Sequence, residues 1–359
     1  MTVRIPATGL KGRGVLSNPA NRFDRQHVEE CDDGWYQEEP PNQIETELIV
    51  DASRSVIARN DSPDIAFDQS INPYRGCSHG CSFCYARPTH AYLGMSPGLD
   101  FETRLLYKPD AAQLLRDELA RPGYSCKHIM LGSNTDPYQP VERKLGITRS
   151  LLEVLAETQH PVAITTRSTL LLRDLDLLAP MAKQGLVMVM YSITTFDADL
   201  KRKLEPRSAS SEARLHAIRA LRHAGIPVGV LAAPIIPAVN DSELETILER
   251  SSEAGARHAG YVLLRLPLEV KDLFREWLSV HMPDRAAHVM SLVNDTREGR
   301  DNSAQFGARM RGTGVWAQLL RDRFKLASRR LGFTSERRID LATHLFRPPE
   351  RGGQMGLGF

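Results

Sequence analysis

Five cysteines in 359 residues are too few for a disulfide scaffold. No secretory leader precedes them, so the expectation is a reducing, cytoplasmic setting. No apolar run approaches the ~18 residues that a membrane-crossing helix needs, and no membrane partner is expected. A dominant charge is missing as well. Lys and Arg number 46 against 44 Asp and Glu, a formal net charge of +2 that says little about partners. Residues 297–351 lean basic, with thirteen Lys or Arg against six acids. Such a stretch reads either as a solvated helical face or as a surface for nucleic acid.

Residues 1–60 are polar, rich in Pro and acids and without a steady period, so they are expected to form a loop-rich or disordered extension. Cys31 lies there between Glu29, Glu30, Asp32 and Asp33, whose charges work against thiolate chemistry. From about Asp68 short apolar runs alternate with amphipathic stretches, the pattern of a parallel sheet wrapped by helices. The strand candidates are DQSINPY, KHIMLGS, VAITTRS, LVMVMYSIT, PVGVLAAPII and GYVLLRLP. Helix candidates between them carry apolar residues at spacings of three and four, and Gly185, Gly225 and Gly255 fall just past helix ends. Six such repeats fit an α/β fold of the partial (β/α)6 barrel type over residues 61–283. A helical region and a glycine-rich tail follow over 284–359.

What is present is concentrated in one place. Cys77, Cys81 and Cys84 fall within eight residues in NPYRGCSHGCSFCYARPTH. The spacing C-x3-C-x2-C offers three thiolates to one metal object and leaves it a ligand short. Iron–sulfur cubanes are usually held by four thiolates, and an open coordination position is where metal centres do chemistry. A zinc site with His79 as fourth ligand is the alternative, although a second well-separated ligand pair is missing. His79 itself reads equally well as a group that tunes the metal object by hydrogen bonding or as a solvent-facing spacer.

Phe83 directly before the last cysteine and Tyr85 directly after it complete a loop that resembles the radical S-adenosylmethionine (AdoMet) superfamily. The strings GSNTDPYQPVE, SITT, EPR, APIIPAVND and LLRLPLEV resemble its spore photoproduct lyase-related branch, also termed DNA-repair photolyase-like. The resemblance runs from about Ser62 to Phe333. It implies a [4Fe–4S] cluster on the three cysteines, AdoMet as cofactor, and a low-potential electron donor of flavodoxin or ferredoxin type. It implies reductive cleavage of AdoMet to a 5′-deoxyadenosyl radical that takes hydrogen from a substrate.

By the same resemblance, Ser133, Asn134 and Asp136 stand at the AdoMet segment after the second strand, though without a Gly-Gly-Glu wording. Arg167 stands where relatives carry Lys, Ser192 is a fourth-strand hydroxyl contact, and Phe83 and Tyr85 lie near adenine. Arg207 is a second candidate for the AdoMet carboxylate. Arg167 and Arg265 are both cations at strand ends, poorly explained by helix capping, and each is expected to seek an anion. Lyases of this branch are expected to carry a hydrogen-donor cysteine near Ser133. Cys126 lies seven residues earlier, roughly 23 Å along an extended strand, which argues against repair of spore photoproduct. Three readings stay open: a radical AdoMet enzyme acting on nucleic acid, one acting on a protein or small metabolite, and a non-catalytic zinc or cluster protein.

Overall fold

The computed structural model describes residues 10–24, 44–334 and 340–349. Cys31 and the glycine-rich tail lie outside the described residues. Among the described residues, ten strands occur in the order β1 (Glu47–Val50), β2 (Ile57–Arg59), β3 (Gln69–Ile71), β4 (Tyr74–Arg75), β5 (Arg104–Tyr107), β6 (Ile129–Leu131), β7 (Val162–Thr166), β8 (Val187–Ile193), β9 (Val228–Ile235) and β10 (His258–Leu263). Seven form one sheet ordered β10-β9-β8-β7-β6-β3-β2, and β1, β5 and β4 form a small second sheet. Strands β3, β6, β7, β8, β9 and β10 pair in parallel, and β2 closes one edge antiparallel to β3. The fold is therefore mixed α/β around a mostly parallel sheet. All six strand candidates of the sequence are strands here.

Alternation along the strands builds two different faces. Ile129 and Leu131 of β6, Val162 and Ile164 of β7, Val187, Val189 and Tyr191 of β8, and Val228, Val230 and Ala232 of β9 enter the main apolar core. Met130, Thr165, Ser192, Leu231 and Val262, on the opposite register, line a cavity. Amphipathic helices run between successive strands, Ile147–Glu157, Leu175–Lys183, Ser211–His223 and Leu244–Glu253 among them. Leu151, Leu178, Leu215 and Leu248 from these four helices join the main core. Gly185, Gly225 and Gly255 follow three of these helices with φ of +69°, +74° and +106°, the left-handed conformation that ends a helix without cost to glycine.

The extension before residue 60, expected to be loop-rich or disordered, carries two short strands and a docked segment. β1 and β2 both lie within it, and Leu10 and Val15 are buried in a small apolar cluster with Leu99 and Leu273. The anchor is buried Glu102, whose carboxylate accepts from the Gly14 and Val15 amides at 3.0 and 3.2 Å. A Cβ on Gly14 would stand 1.6 Å from the carbonyl oxygen of Gly80. The absence of a side chain lets this segment lie directly on the cysteine loop. Among the described residues, no helix is long and apolar enough to cross a membrane.

Candidate active site

The cysteine loop follows β4 and is shaped by two glycines. Gly76 and Gly80 have φ of +80° and +68°, which L-side chains rarely adopt. A Cβ on Gly76 would meet Leu105 at 2.8 Å, and one on Gly80 would meet the Glu102 carboxylate at 2.7 Å. The loop backbone is tied down at several points. Cys77 N–H donates to Phe101 O at 2.8 Å, and Ser82 N–H donates to Leu204 O at 2.9 Å. The buried Arg87 guanidinium donates to Cys81 O at 2.7 Å and to Glu102 at 2.5 Å. Charge-assisted bonds of this kind fix geometry strongly.

Cys77, Cys81 and Cys84 are free thiols lining one wall of a cavity of about 460 Å³. Burial pushes the Cys81 and Cys84 thiols up, and the nearby guanidiniums of Arg167 and Arg87 only partly oppose this. Their thiolate forms therefore depend on a cationic partner. Among the described residues, no three His, Cys, Asp or Glu side chains converge as they would on a single ion. His79 is no solvent-facing spacer, being 2% exposed. Its Nδ1 lies 3.4 Å from Asp136 Oδ2. Burial favours the neutral imidazole, but Asp136 and Cys77 outweigh it and push the group up to about 9.

The facing walls come from the ends of the parallel strands. Asp136 is a junction rather than a free acceptor. Its Oδ1 accepts from Tyr138 N–H at 2.9 Å and from the Thr166 hydroxyl at 2.7 Å, and its Oδ2 accepts from Arg167 N–H at 2.7 Å. Ser133 and Asn134 are held by Asn72, through the Ser133 hydroxyl at 3.1 Å and the Asn134 amide at 2.9 Å. The Tyr85 hydroxyl donates to Ser133 O, joining the cysteine loop to the segment after β6.

Arg167 has already found its anion. Its Nε donates to Glu205 at 2.8 Å, its Nη2 donates to Ala233 O at 3.0 Å, and its Cζ lies 5.5 Å over the Phe83 ring. Glu205 is fully buried and also holds buried Arg214 at 2.6 Å, which donates in turn to Ser192 O. Phe83, Tyr85, Ser133, Asn134, Asp136, Arg167 and Ser192 all line the cavity with the three cysteines. Arg207 does not. It is exposed, and only its backbone meets the cysteine loop, at His79 O. The informative residue of Leu-Glu-Pro-Arg is the acid two positions earlier.

Sequence reasoning also missed Asn60, Ile65 and Phe67, which line the cavity from the turn after β2, and Met310. The β2 turn is linked to the residues around Met310 by Asp64, which accepts from Arg309 at 2.5 and 2.7 Å and from Gly307 N–H at 3.0 Å. No local pattern marks such a pairing, which spans 245 positions. Cys126 does not line the cavity, and burial pushes its thiol up to about 12.

The loop, the thiols and the strand-end polar groups define a class, and family comparison agrees: residues 71–250 match the model of the Radical SAM superfamily, and the chain belongs to it. It is thus a radical AdoMet enzyme. Among curated proteins it is similar to the uncharacterized protein Rv2578c of Mycobacterium tuberculosis, 38% identical over 66% of this chain and 71% of that one. It is also similar to the uncharacterized protein MJ0683 of Methanocaldococcus jannaschii, 30% identical over 48% of this chain and 62% of that one. Among solved structures its fold is similar to a cysteine-to-serine mutant of spore photoproduct lyase, with a TM-score of 0.58, 16% identity and 80% of each chain covered. The same enzyme complexed with dinucleoside spore photoproduct gives a TM-score of 0.56 at the same identity and coverage.

Proposed function

We propose that Cys77, Cys81 and Cys84 hold a [4Fe–4S] cluster with one iron left for AdoMet, and that the substrate is a nucleic acid. The observation that carries this is the wall of three free thiols facing strand-end polar groups across one cavity. When bound, the cluster and AdoMet supply a one-electron cleavage of the sulfonium and a 5′-deoxyadenosyl radical that abstracts hydrogen.

The chain's own part is to bind, orient and exclude water. Ser133 and Asn134, pinned by Asn72, present backbone and side-chain polar groups toward AdoMet. Arg167, already paired with Glu205, and Ser192 line the wall that faces its polar end, and Phe83 and Tyr85 supply aromatic surface beside the cysteines. Asp136 ties the ends of β6 and β7 together through its bonds to Thr166 and Arg167 and meets the cysteine loop at His79. The six parallel strands form a partial (β/α)6 barrel over residues 61–283. Asn60, Ile65, Phe67 and Met310 line its open side, with residues 284–334 as a helical appendage. A flavodoxin- or ferredoxin-type protein supplies the electron.

A nucleic-acid substrate is supported by the fold shared with spore photoproduct lyase. The basic stretch 297–351 contributes less than its composition suggests, because Arg309, Arg323 and Arg330 are committed to Asp64, Glu245 and Glu249. Repair of spore photoproduct itself is not proposed. Among the described residues, the cysteines lining the cavity are the three assigned to the cluster.

Anaerobic reconstitution tests the cluster assignment. About four irons and four sulfides per chain are expected, with both lost in Cys77→Ala, Cys81→Ala or Cys84→Ala and retained in Cys126→Ala. Binding of one iron-free zinc ion by the same three cysteines would overturn it. For the substrate class, DNA or RNA affinity should fall with rising salt, and a flat response would remove nucleic acid.

A further inference from the structure

Most arginines buried around this cavity are neutralised by a carboxylate. Arg87 pairs with Glu102, Arg167 and Arg214 share Glu205, and Arg309 pairs with Asp64. Arg265 and Arg297, at the end of β10, are different. Among the described residues, neither lies within ion-pairing distance of an acid.

Arg297 is 1% exposed and donates to two backbone carbonyls, Ala308 O at 2.7 Å and Leu264 O at 2.8 Å, while its Nε has no partner. Burial, with Arg265 adding to it, pushes the group down to about 10. Arg265 lines the cavity itself. Its Cζ lies 5.1 Å over the Tyr85 ring, its Nη1 is 3.8 Å from the Met310 sulfur, and its buried Nε has no partner. The acid whose field reaches it, Asp64, is occupied by Arg309 and Gly307. Two neighbouring like charges, one fully buried and one half-buried, with no carboxylate in ion-pairing distance among the described residues, are expensive to keep in a fold. An incoming anion relieves that cost, and a guanidinium held flat by an aromatic ring is pre-shaped for a two-point contact with an oxyanion.

We propose that the β10 end of the cavity is an oxyanion site, in which Arg265, stacked on Tyr85 and backed by Arg297, receives a phosphate or carboxylate carried by the substrate. This rests on the proposed function, since Arg265 stacks on Tyr85, the neighbour of Cys84, and lines the same cavity as the three cysteines. Arg265 is the contacting residue, and Arg297 is a positioning residue that raises the local positive potential. Arg167, although also a strand-end cation, is committed to Glu205 and leaves this role to Arg265.

The test compares the reconstituted, AdoMet-loaded protein with its Arg265→Gln and Arg265→Lys variants by calorimetric titration. The probes are inorganic phosphate, acetate, thymidylyl-thymidine and the uncharged methylphosphonate analogue of that dinucleotide. Phosphate and the dinucleotide are expected to bind, the neutral analogue to bind weakly, and Arg265→Gln to lose about ten- to hundred-fold in affinity. Arg265→Lys should retain part of it. AdoMet affinity should be unchanged in both variants. Acetate binding that depends on Arg265, with no phosphate binding, also supports the site and identifies the oxyanion as a carboxylate. Equal anion binding in wild type and Arg265→Gln overturns the proposal, as does no anion binding by wild type or loss of AdoMet binding in the variants. The phosphate titration repeated without AdoMet, beside a count of iron and of 5′-deoxyadenosine formed, separates failure of this site from failure of the enzyme reading.

Discussion

Glu205 is the most consequential single side chain outside the cysteine loop, and Glu205→Gln tests why. Its carboxylate is fully buried between Arg167 and Arg214, at 2.8 and 2.6 Å. A glutamine keeps the shape but carries no charge and offers one acceptor where there were two. One guanidinium then faces an amide donor, and two buried cations share no counter-charge. Breaking a buried ion pair from one side costs about 3–5 kcal/mol. Unfolding entropy of about 2.1 cal/mol/K per residue over 359 residues gives about 0.75 kcal/mol/K. The melting temperature should therefore fall by about 4–7 °C. Urea unfolding monitored by circular dichroism gives the free energy directly. The control is Glu212→Gln, which breaks the surface pair with Arg250 at 2.7 Å and should cost no more than about 1 kcal/mol. A loss below about 1 kcal/mol for Glu205→Gln would show that Arg167 and Arg214 are not held as described.

Three further outcomes follow from particular contacts. His160 is buried, its Nδ1 donating to Pro161 O at 3.0 Å and its Nε2 2.8 Å from the Tyr124 hydroxyl, and burial pushes it down to about 4. The folded state thus favours the neutral ring, and the unfolded state, near pH 6.5, takes up the proton first. Stability should be full above about pH 6.5 and fall by about 3 kcal/mol as pH drops to 4; urea midpoints measured across that range, flatter in His160→Gln, check it. Gly14→Val places a side chain into Gly80 O, 1.6 Å from the first added carbon, so amides 10–24 should exchange hydrogen faster and the reconstituted cluster should bleach faster in air; unchanged exchange refutes the docking. Asp64→Asn removes the charge that links the β2 turn to Arg309, and faster exchange at the Gly307 amide is expected with little loss of global stability.

Much of the sheet is readable in the sequence because parallel strands covered on both faces appear as nearly continuous apolar runs. β8 and β9 have a single half-buried residue each. β1, β2, β4 and β5 escape because they are two to four residues long and partly exposed, too short to show a period. At the site, residue type and strand-end position identify the lining wall, from Ser133 to Ser192. They do not reveal which cation is satisfied. Arg167 and Arg265 look equivalent in sequence, and what separates them is Glu205, 38 positions from Arg167. Arg207 draws attention before Glu205 because a cation near a cofactor carboxylate is the simpler expectation, and the turn after Leu204 sends its side chain outward. The docked segment around Gly14 leaves no trace because its attachment is backbone to Glu102 and the absence of a side chain, neither of which has a compositional signature.

The central claim is that Cys77, Cys81 and Cys84 supply an AdoMet-cleaving centre. Its most direct measurement is 5′-deoxyadenosine produced anaerobically from AdoMet and dithionite by the iron- and sulfide-reconstituted protein. The account predicts its formation by wild type and Cys126→Ala, and none by Cys77→Ala, Cys81→Ala or Cys84→Ala. A wild-type protein that carries the full cluster and yet forms none, or a Cys81→Ala variant that forms as much as wild type, would contradict it.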